Sequence, residues 1–320
     1  NWYVLIESFL LCRNKIMKTT TASLFLLAGV ASALPGVPAS SSAPLSAITR
    51  RNRPLLTTRG GAIKTPKETF AAYSTFGAVQ GNMGMTKMTV QSVLAGAFIA
   101  LGGFLALSVG AHLPGIKASD PGLQKLILGA IGLPFGLICV VLTGGQLFTG
   151  NCALVTSAWL QGTVSTKNLV KNFVVSFLGN FAGVLAICGL VVASGLVNSN
   201  PGVAAVAQVK CGLPFSQAFF RGFLCNWMVC IALWSQTAAS DLSGKIIGIW
   251  FPISSFVAMG FEHSVANMAL IPLSMLGGAQ GVSITDFLLK NLLPVTLGNL
   301  LGGAVAVACS YNYIYGEKAQ

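Results

Sequence analysis

The chain has 320 residues, of which 54% are apolar and only 8% are charged. Ordinary globular domains carry about 25% charged residues, so a water-soluble fold is excluded, and the mean hydropathy of +0.76 is typical of a membrane protein. The net charge of +12 does not indicate nucleic-acid binding, because the basic residues are concentrated near the N-terminus or stand singly between apolar segments.

The eight cysteines form no CxxC pair, and most of them lie inside apolar segments. In such a position Cys behaves as a small hydrophobic residue. We therefore expect neither a metal site, a cofactor nor a disulfide framework.

The N-terminal region has the composition of a targeting address. Residues 1–16 precede the first methionine, Met17, and we expect them to be an artefact of the gene model. Residues 17–33 contain one lysine, a short apolar run and an A-x-A site, a pattern typical of a signal peptide. Residues 34–75 are rich in Ser, Ala, Pro and Arg and contain no acid before Glu68, which predicts a disordered segment like a transit peptide.

Two destinations are compatible with this address. A signal peptide followed by a transit-like segment resembles the two-part address of proteins imported into complex algal plastids, and the ASAL junction at 31–34 resembles their cleavage motif. This favours a plastid envelope. The alternative is a plain secretory signal followed by a linker, which would lead to the plasma membrane or another endomembrane.

Beyond this region the sequence predicts an all-α polytopic membrane protein with six apolar segments. Each is long enough to cross a hydrocarbon layer of about 30 Å, which needs about 20 residues. The segments are 89–113, 122–160, 169–196, 216–239, 245–276 and 286–315.

The second and fifth segments are too long for one straight helix. They are interrupted by GGQLFTGN at 144–151 and by GFEHSVAN at 260–267. Because irregular backbone is not tolerated against lipid, we expect both interruptions to be buried in protein or to line a cavity.

An internal repeat relates the two halves of this region. KNFVVSFLGNFAG at 171–183 aligns without gaps with KNLLPVTLGNLLG at 290–302. Three spans separate the copies, so the second copy crosses the membrane in the opposite sense. This predicts two inverted three-helix repeats with helices 2 and 5 broken, which indicates a site near the middle of the membrane. The predicted channel domain covers 76–315 and is followed by a tail over 316–320.

Glu262 and His263 stand side by side in the second interruption. Histidine is the side chain most easily tuned near neutral pH, and desolvation favours its neutral ring. A bare anion entering a medium of low dielectric constant costs on the order of tens of kcal/mol, and a neutral acid costs far less. An apolar passage around one titratable group therefore suits a solute that becomes neutral in transit. The proton comes either from His263 or from water in the vestibule, the wider space that leads to this passage, and both schemes remain open.

The strings LFTGN, LCNW and FEHSVANM, with NLLPVTLGNLLGGAV near the C-terminus, resemble the signatures of the formate/nitrite transporter family. The similarity covers roughly 76–315. It implies an aquaporin-like protomer, assembled as a homopentamer in the lipid bilayer with one pore in each protomer. It also implies passage of small monovalent weak-acid anions such as formate or nitrite, with protons as the partner ion.

The resemblance further implies the roles of particular residues. His263 is expected to be the central pore residue facing Thr149, with Asn226 hydrogen-bonded in the same cluster and Glu262 beside it. Lys210 is expected to attract the anion in a vestibule. Apolar constrictions are expected at Leu133, Leu137, Phe148 and Phe256.

Two positions depart from the family pattern. Leu133 stands where Phe is frequent, which predicts a wider passage or one that relies on Phe135. The family's lysine before the first span, which can pair with the glutamate beside the histidine, falls on Gln80. Glu262 is therefore expected to find another partner, such as Lys87, or a backbone donor at the helix end.

The alternative function is a neutral-solute channel of the aquaporin or ammonium type. The first would carry paired Asn-Pro-Ala motifs and the second paired pore histidines, and the sequence contains neither pattern. An intramembrane serine protease needs its serine and histidine on different spans, whereas Ser264 directly follows His263. We therefore expect no enzyme activity.

Overall fold

The computed structural model describes residues 63–197 and 200–316, and within these ranges the chain consists of helices and connecting loops. The predicted all-helical class is confirmed for this part of the chain. The predicted address over 1–16 and 17–33, and the part of 34–75 before residue 63, lie outside the described residues.

The helices, in chain order, are α1 (Pro66–Gly81), α2 (Met85–Gly110), α3 (Pro114–Ser119), α4 (Pro121–Thr143), α5 (Phe148–Leu160), α6 (Thr166–Ala193), α7 (Pro201–Cys211), α8 (Phe215–Ala238), α9 (Leu242–Ala258), α10 (Ser264–Leu276), a π-helical segment (Asp286–Leu292), α11 (Leu293–Leu301), a second π-helical segment (Gly302–Cys309) and α12 (Ser310–Tyr315). Among the described residues, five helical elements are long and apolar enough to cross a membrane: α2, α4, α6, α8 and the continuous element Asp286–Tyr315. The helices α9 and α10 are apolar but shorter.

The packed domain begins before residue 76, which corrects the predicted boundary. The Thr65 hydroxyl accepts a hydrogen bond from the Glu68 N–H, and the Glu68 carboxylate accepts one from the Thr65 N–H at 2.9 Å, so a capping box starts α1. Phe70 and Tyr73 of this helix are buried. The composition of 34–75 did not reveal α1, because most residues of this helix are small or polar and leave only a narrow apolar face.

The helices pack in two similar sets. In one set α2 contacts α4 and α6, and α1 lies against α5. In the other set α8 contacts α9 and α11, and α7 lies against α10. The two sets meet where α4 contacts α9.

Two apolar stretches are each divided into a long and a short helix by a glycine turn. Gly144, with a φ of 75°, separates α4 from α5, and Gly260, with a φ of 77°, separates α9 from α10. This left-handed conformation favours glycine because it has no Cβ. Gln146 and Glu262, which lie between the turn and the second helix, are buried in protein, as irregular backbone in a membrane requires.

Glycines also allow helices to approach closely in both sets. A Cβ at Gly183 of α6 would overlap the carbonyl oxygen of Val93 in α2, and a Cβ at Gly298 of α11 would overlap that of Phe219 in α8. Such small residues let backbones touch where lipid provides no hydrophobic driving force.

Candidate functional site

Two large cavities border a small, mostly apolar void in the interior of the molecule, and each shares different wall residues with that void. The Lys210 vestibule has a volume of about 500 Å³, and its lining includes Lys117, Lys125, Lys210, Arg221, Glu262 and His263. The Gln80 vestibule has a volume of about 360 Å³, and its lining includes Lys64, Gln80, Gly144, Asn151, Gln236 and Lys245.

A void of only about 10 Å³ separates the two vestibules, and we call its walls the narrow section. The narrow section is lined by Ile99, Leu133, Leu137, Leu147, Val229, Ile253, Phe256 and His263. A single water needs about 10–15 Å³ of such space, so an anion cannot carry its hydration shell through. All lining residues except His263 are apolar.

The structure shows how the predicted constriction residues are placed. Leu133 and Phe256 line both the narrow section and the Lys210 vestibule, and Leu137 lines both the narrow section and the Gln80 vestibule. Phe148 is buried against Phe173 and Phe177, with ring centroids 6.0 and 5.2 Å away.

Residue 147, rather than 148, is the member of the LFTGN string that lines the narrow section. Leu147 borders both this section and the Gln80 vestibule. Sequence reasoning did not select it, because the string alone does not indicate which of two adjacent apolar side chains faces the cavity. Phe135, considered as a substitute for an aromatic at Leu133, is 44% exposed on the outside of α4.

Two hydrogen bonds orient the imidazole of His263. Its Nδ1 accepts from the Ala266 N–H at 2.9 Å, so the ring caps the N-terminus of α10. Its Nε2 lies 2.9 Å from the Thr149 hydroxyl oxygen. Because Nδ1 is an acceptor, the neutral ring carries its proton on Nε2 and donates it to Thr149. The Phe256 ring stacks on the imidazole, with centroids 6.0 Å apart and planes inclined by 20°.

The N-termini of the two short helices α5 and α10 meet at the hydrogen-bonded pair of Thr149 and His263. Thr149 lies in the first turn of α5, and His263 immediately precedes α10. Each helix N-terminus is equivalent to roughly half a positive charge, and such termini favour negatively charged groups. The site thus presents two partial positive charges and the hydrogen-bonded His263–Thr149 pair at the apolar constriction.

Asn226 acts on this cluster through the backbone. Its side-chain amide donates to the carbonyl oxygen of Thr149 at 3.0 Å and to that of Asn299 at 2.5 Å. It thereby ties the start of α5 to α11, and its described bonds do not include one to the imidazole.

Glu262 is buried and bonded on both carboxylate oxygens. Oε1 lies 3.0 Å from the Lys210 Nζ, and Oε2 accepts from the amides of Asn267 at 2.6 Å and Asn291 at 3.2 Å. The suggested partner Lys87 is exposed elsewhere and is corrected to Lys210. A local pattern did not reveal this pair, because 52 positions separate its members.

The other half of the molecule contains an equivalent network with amides in place of charges. The Gln146 Oε1 accepts from the amides of Asn151 at 2.6 Å and Asn172 at 3.1 Å. The Gln146 Nε2 donates to the Gln80 Oε1. Gln146 thus takes the place of Glu262, and Gln80 takes the place of Lys210.

The repeat asparagines complete the equivalence. The Asn180 Oδ1 accepts from the Phe148 N–H at 2.9 Å, and the Asn299 Oδ1 accepts from the Ser264 N–H at 2.8 Å. Each therefore bonds the first N–H of a short helix. Their side-chain amides donate to the carbonyls of Gln146 and Glu262, both at 2.9 Å.

Comparison with known proteins agrees with this architecture. The family model described as "Formate/nitrite transporter" matches residues 67–313. A probable formate transporter from Methanothermobacter thermautotrophicus is 42% identical over 275 residues, covering 80% of this chain and 98% of that protein. The nitrite transporter NirC from Escherichia coli (strain K12) is 35% identical over 227 residues, covering 70% of this chain and 82% of that protein.

A solved structure with a similar fold is a pentameric formate channel with formate bound. Its TM-score to this chain is 0.64 at 30% sequence identity, and the similarity covers 72% of this chain and 97% of that one.

Proposed function

Because the chain belongs to the formate/nitrite transporter family, we propose that it passes small monovalent weak-acid anions across a membrane and that the anion is neutralised by a proton beside His263. The observation that carries this proposal is the narrow section, which is apolar except for His263 and separates two polar vestibules.

The proposed topology has six spans. The helices α2, α6, α8 and the element Asp286–Tyr315 form four of them, and the pairs α4/α5 and α9/α10 form the two broken ones. The equivalent networks around Gln146 and Glu262 support two repeats of three spans each, and the odd separation of the repeats makes them inverted. The protomer is proposed to form a homopentamer, and the support for this is its similarity to a solved pentameric formate channel.

The size and polarity of the narrow section support transit in the neutral form. An anion that lost its water there would face a cost on the order of tens of kcal/mol in an apolar medium, and the hydrogen-bonding ring offsets only part of it. A neutral acid needs only hydrogen-bond partners.

The hydrogen bonds of His263 favour vestibule water as the source of the proton. The neutral ring holds a single proton on Nε2, with Nδ1 engaged by the Ala266 N–H. Donating that proton would leave an imidazolate anion at an apolar site. We therefore propose that the solute takes its proton from water as it leaves the vestibule. His263, which donates its Nε2 proton to the Thr149 oxygen, is proposed to orient the Thr149 hydroxyl as a hydrogen-bond donor to the solute.

Formate and nitrite are the proposed substrates, since both occur in the names of relatives that are at least 35% identical. The composition of residues 17–75 supports a plastid envelope as the location, and in that compartment we favour nitrite.

The test is flux through purified protein reconstituted in vesicles, with formate, nitrite and ammonium offered at several pH values. We expect formate and nitrite to enter faster as the external pH falls, because the neutral form becomes more abundant, and we expect the vesicle interior to acidify in step with uptake. Vesicles without protein are the control for passive acid permeation. Uptake of ammonia from the ammonium salt without flux of the anions, seen as alkalinisation of the vesicle interior, would instead indicate a neutral-solute channel and refute the proposal.

A further inference from the structure

We propose that Lys117, Lys125 and Arg221 form an anion-collecting site in the Lys210 vestibule, and that Lys210 itself serves to position Glu262 rather than to attract the solute. This inference rests on the proposed function and assigns the step that precedes entry into the narrow section.

The described residues form two ion pairs between a lysine and an acidic side chain. They are Lys210–Glu262, at 3.0 Å, and Lys290–Asp286, at 2.6 Å. The side chain of Lys210 is only 16% exposed and that of Glu262 only 4%. The charge of this lysine is therefore largely compensated by a carboxylate in the same wall of the cavity, and their sum attracts a distant anion weakly.

Lys117, Lys125 and Arg221 line the same cavity and have no acidic partner in the part of the chain that the structure describes. Two further acids, Asp120 and Asp286, do not line the vestibule and bond other groups. Asp120 accepts the Leu123 N–H at 2.9 Å to cap α4, and Asp286 pairs with Lys290. A helix cap does not neutralise the Asp120 carboxylate, which offsets part of this charge. Among the side chains that line the vestibule, Lys117, Lys125 and Arg221 are nevertheless the basic ones that form no ion pair with a described acid.

The position of these charges favours the attraction of anions into the Lys210 vestibule. A cleft lined by one sign of charge, with walls of low dielectric constant, focuses the field and raises the local concentration of the opposite ion. Lys117 and Lys125 are exposed and Arg221 is half-buried, and all three line the vestibule. The carbonyl oxygen of Arg221 accepts the Glu262 N–H at 3.3 Å, which places the second turn of α8 beside the site.

Flux through the double variant K117Q/K125Q tests collection. Both side chains are exposed, so the fold should be retained. At low ionic strength we expect the half-saturating formate concentration to rise about 3-fold or more at an unchanged maximal rate, and the difference to vanish near 0.5 M salt as screening removes the field. The control is K67Q/K167Q, which removes two exposed charges outside the lining of the Lys210 vestibule. An unchanged half-saturating concentration, or an equal shift in the control, would overturn the inference.

A second measurement does not depend on transport. Val209 lines the vestibule and is 63% exposed, so V209C offers a thiol to a sulfonate-bearing and a trimethylammonium-bearing thiosulfonate reagent. With each rate divided by that reagent's rate with a small thiol in solution, we expect the anionic reagent to be favoured over the cationic one, and this preference to fall at least about 3-fold when K117Q/K125Q is added. Protein without V209C gives the background labelling.

If the wild type carries no anion but the reagent preference responds as expected, the proposed function fails and the collecting site stands. If the anion is carried but neither the half-saturating concentration nor the preference responds, the collecting site is refuted alone.

Discussion

The imidazole of His263 is held by groups from two helices that are far apart in sequence. Nδ1 accepts a backbone N–H of its own helix α10, and Nε2 meets the hydroxyl of Thr149 on α5, both at 2.9 Å. A ring held at both nitrogens has one tautomer and one orientation. That arrangement suits a fixed hydrogen-bond donor better than a proton carrier, which must exchange its proton and its partners.

Thr149→Val tests the contribution of the hydroxyl, because valine keeps the shape and removes the oxygen. Thr149 is fully buried, so the Nε2–H would lose its acceptor. We expect a loss of about 1–3 kcal/mol in the free energy of unfolding, seen as a lower melting temperature of the detergent-purified protein, together with reduced formate flux. Thr149→Ser retains the hydroxyl and should approach wild type in both measurements. Equal melting temperatures for Thr149→Val and Thr149→Ser would show that the hydrogen bond between Thr149 and His263 does not contribute to stability.

At the scale of the helices, glycine decides how closely neighbours pack. Gly183 of α6 faces the backbone of α2, whereas Gly189 of the same helix has no atom within 4 Å of the position of an added Cβ. The two glycines therefore have opposite structural roles although the sequence around them is similarly apolar.

Substituting alanine at each position separates these roles. Gly183→Ala should lower the melting temperature of the detergent-purified protein, because overpacking of this kind typically costs about 1–3 kcal/mol. Gly189→Ala should leave it unchanged or raise it, because alanine favours a helix over glycine by about 1 kcal/mol. Equal melting temperatures for Gly183→Ala and Gly189→Ala would show that the close approach at Gly183 does not limit the size of its side chain.

At the scale of the whole molecule, the two halves share one hydrogen-bond plan but differ in charge. Asn172 and Asn291, at matching places in the repeat, donate to Gln146 and Glu262 respectively. The partner of Gln146 is the neutral Gln80, and the partner of Glu262 is Lys210. A pair of amides is therefore already accommodated in this framework.

This equivalence predicts a specific rescue. Lys210→Gln alone leaves the buried Glu262 charge uncompensated and should cost about 3 kcal/mol or more in the free energy of unfolding. K210Q/E262Q recreates the amide pair of the other half and should recover most of that loss, measured by thermal unfolding in detergent.

The matched control for this rescue is Lys290→Gln. Its side chain is 65% exposed in the pair with Asp286, and solvent screens an exposed ion pair, so its loss should leave the melting temperature nearly unchanged. A double variant no more stable than Lys210→Gln would show that the two halves are not interchangeable at this position.

The sequence by itself determined the features that depend on local pattern. Apolar length indicated helices that suit a membrane, and the glycines and polar residues at 144–151 and 260–267 marked the breaks that the helix bounds of α5 and α10 now define. The matching asparagines of KNFVVSFLGN and KNLLPVTLGN also marked equivalent places in the two halves, without indicating which groups they bond.

Only the tertiary structure decided the contacts between distant parts of the chain. It paired Glu262 with Lys210 rather than Lys87, placed Leu147 in the narrow section and showed the packed face of α1. Adjacent helical residues differ by about 100° in direction, since 3.6 residues complete a turn. Which side chain meets a cavity therefore depends on how each helix is rotated and packed, and that rotation is set by neighbours from the rest of the fold.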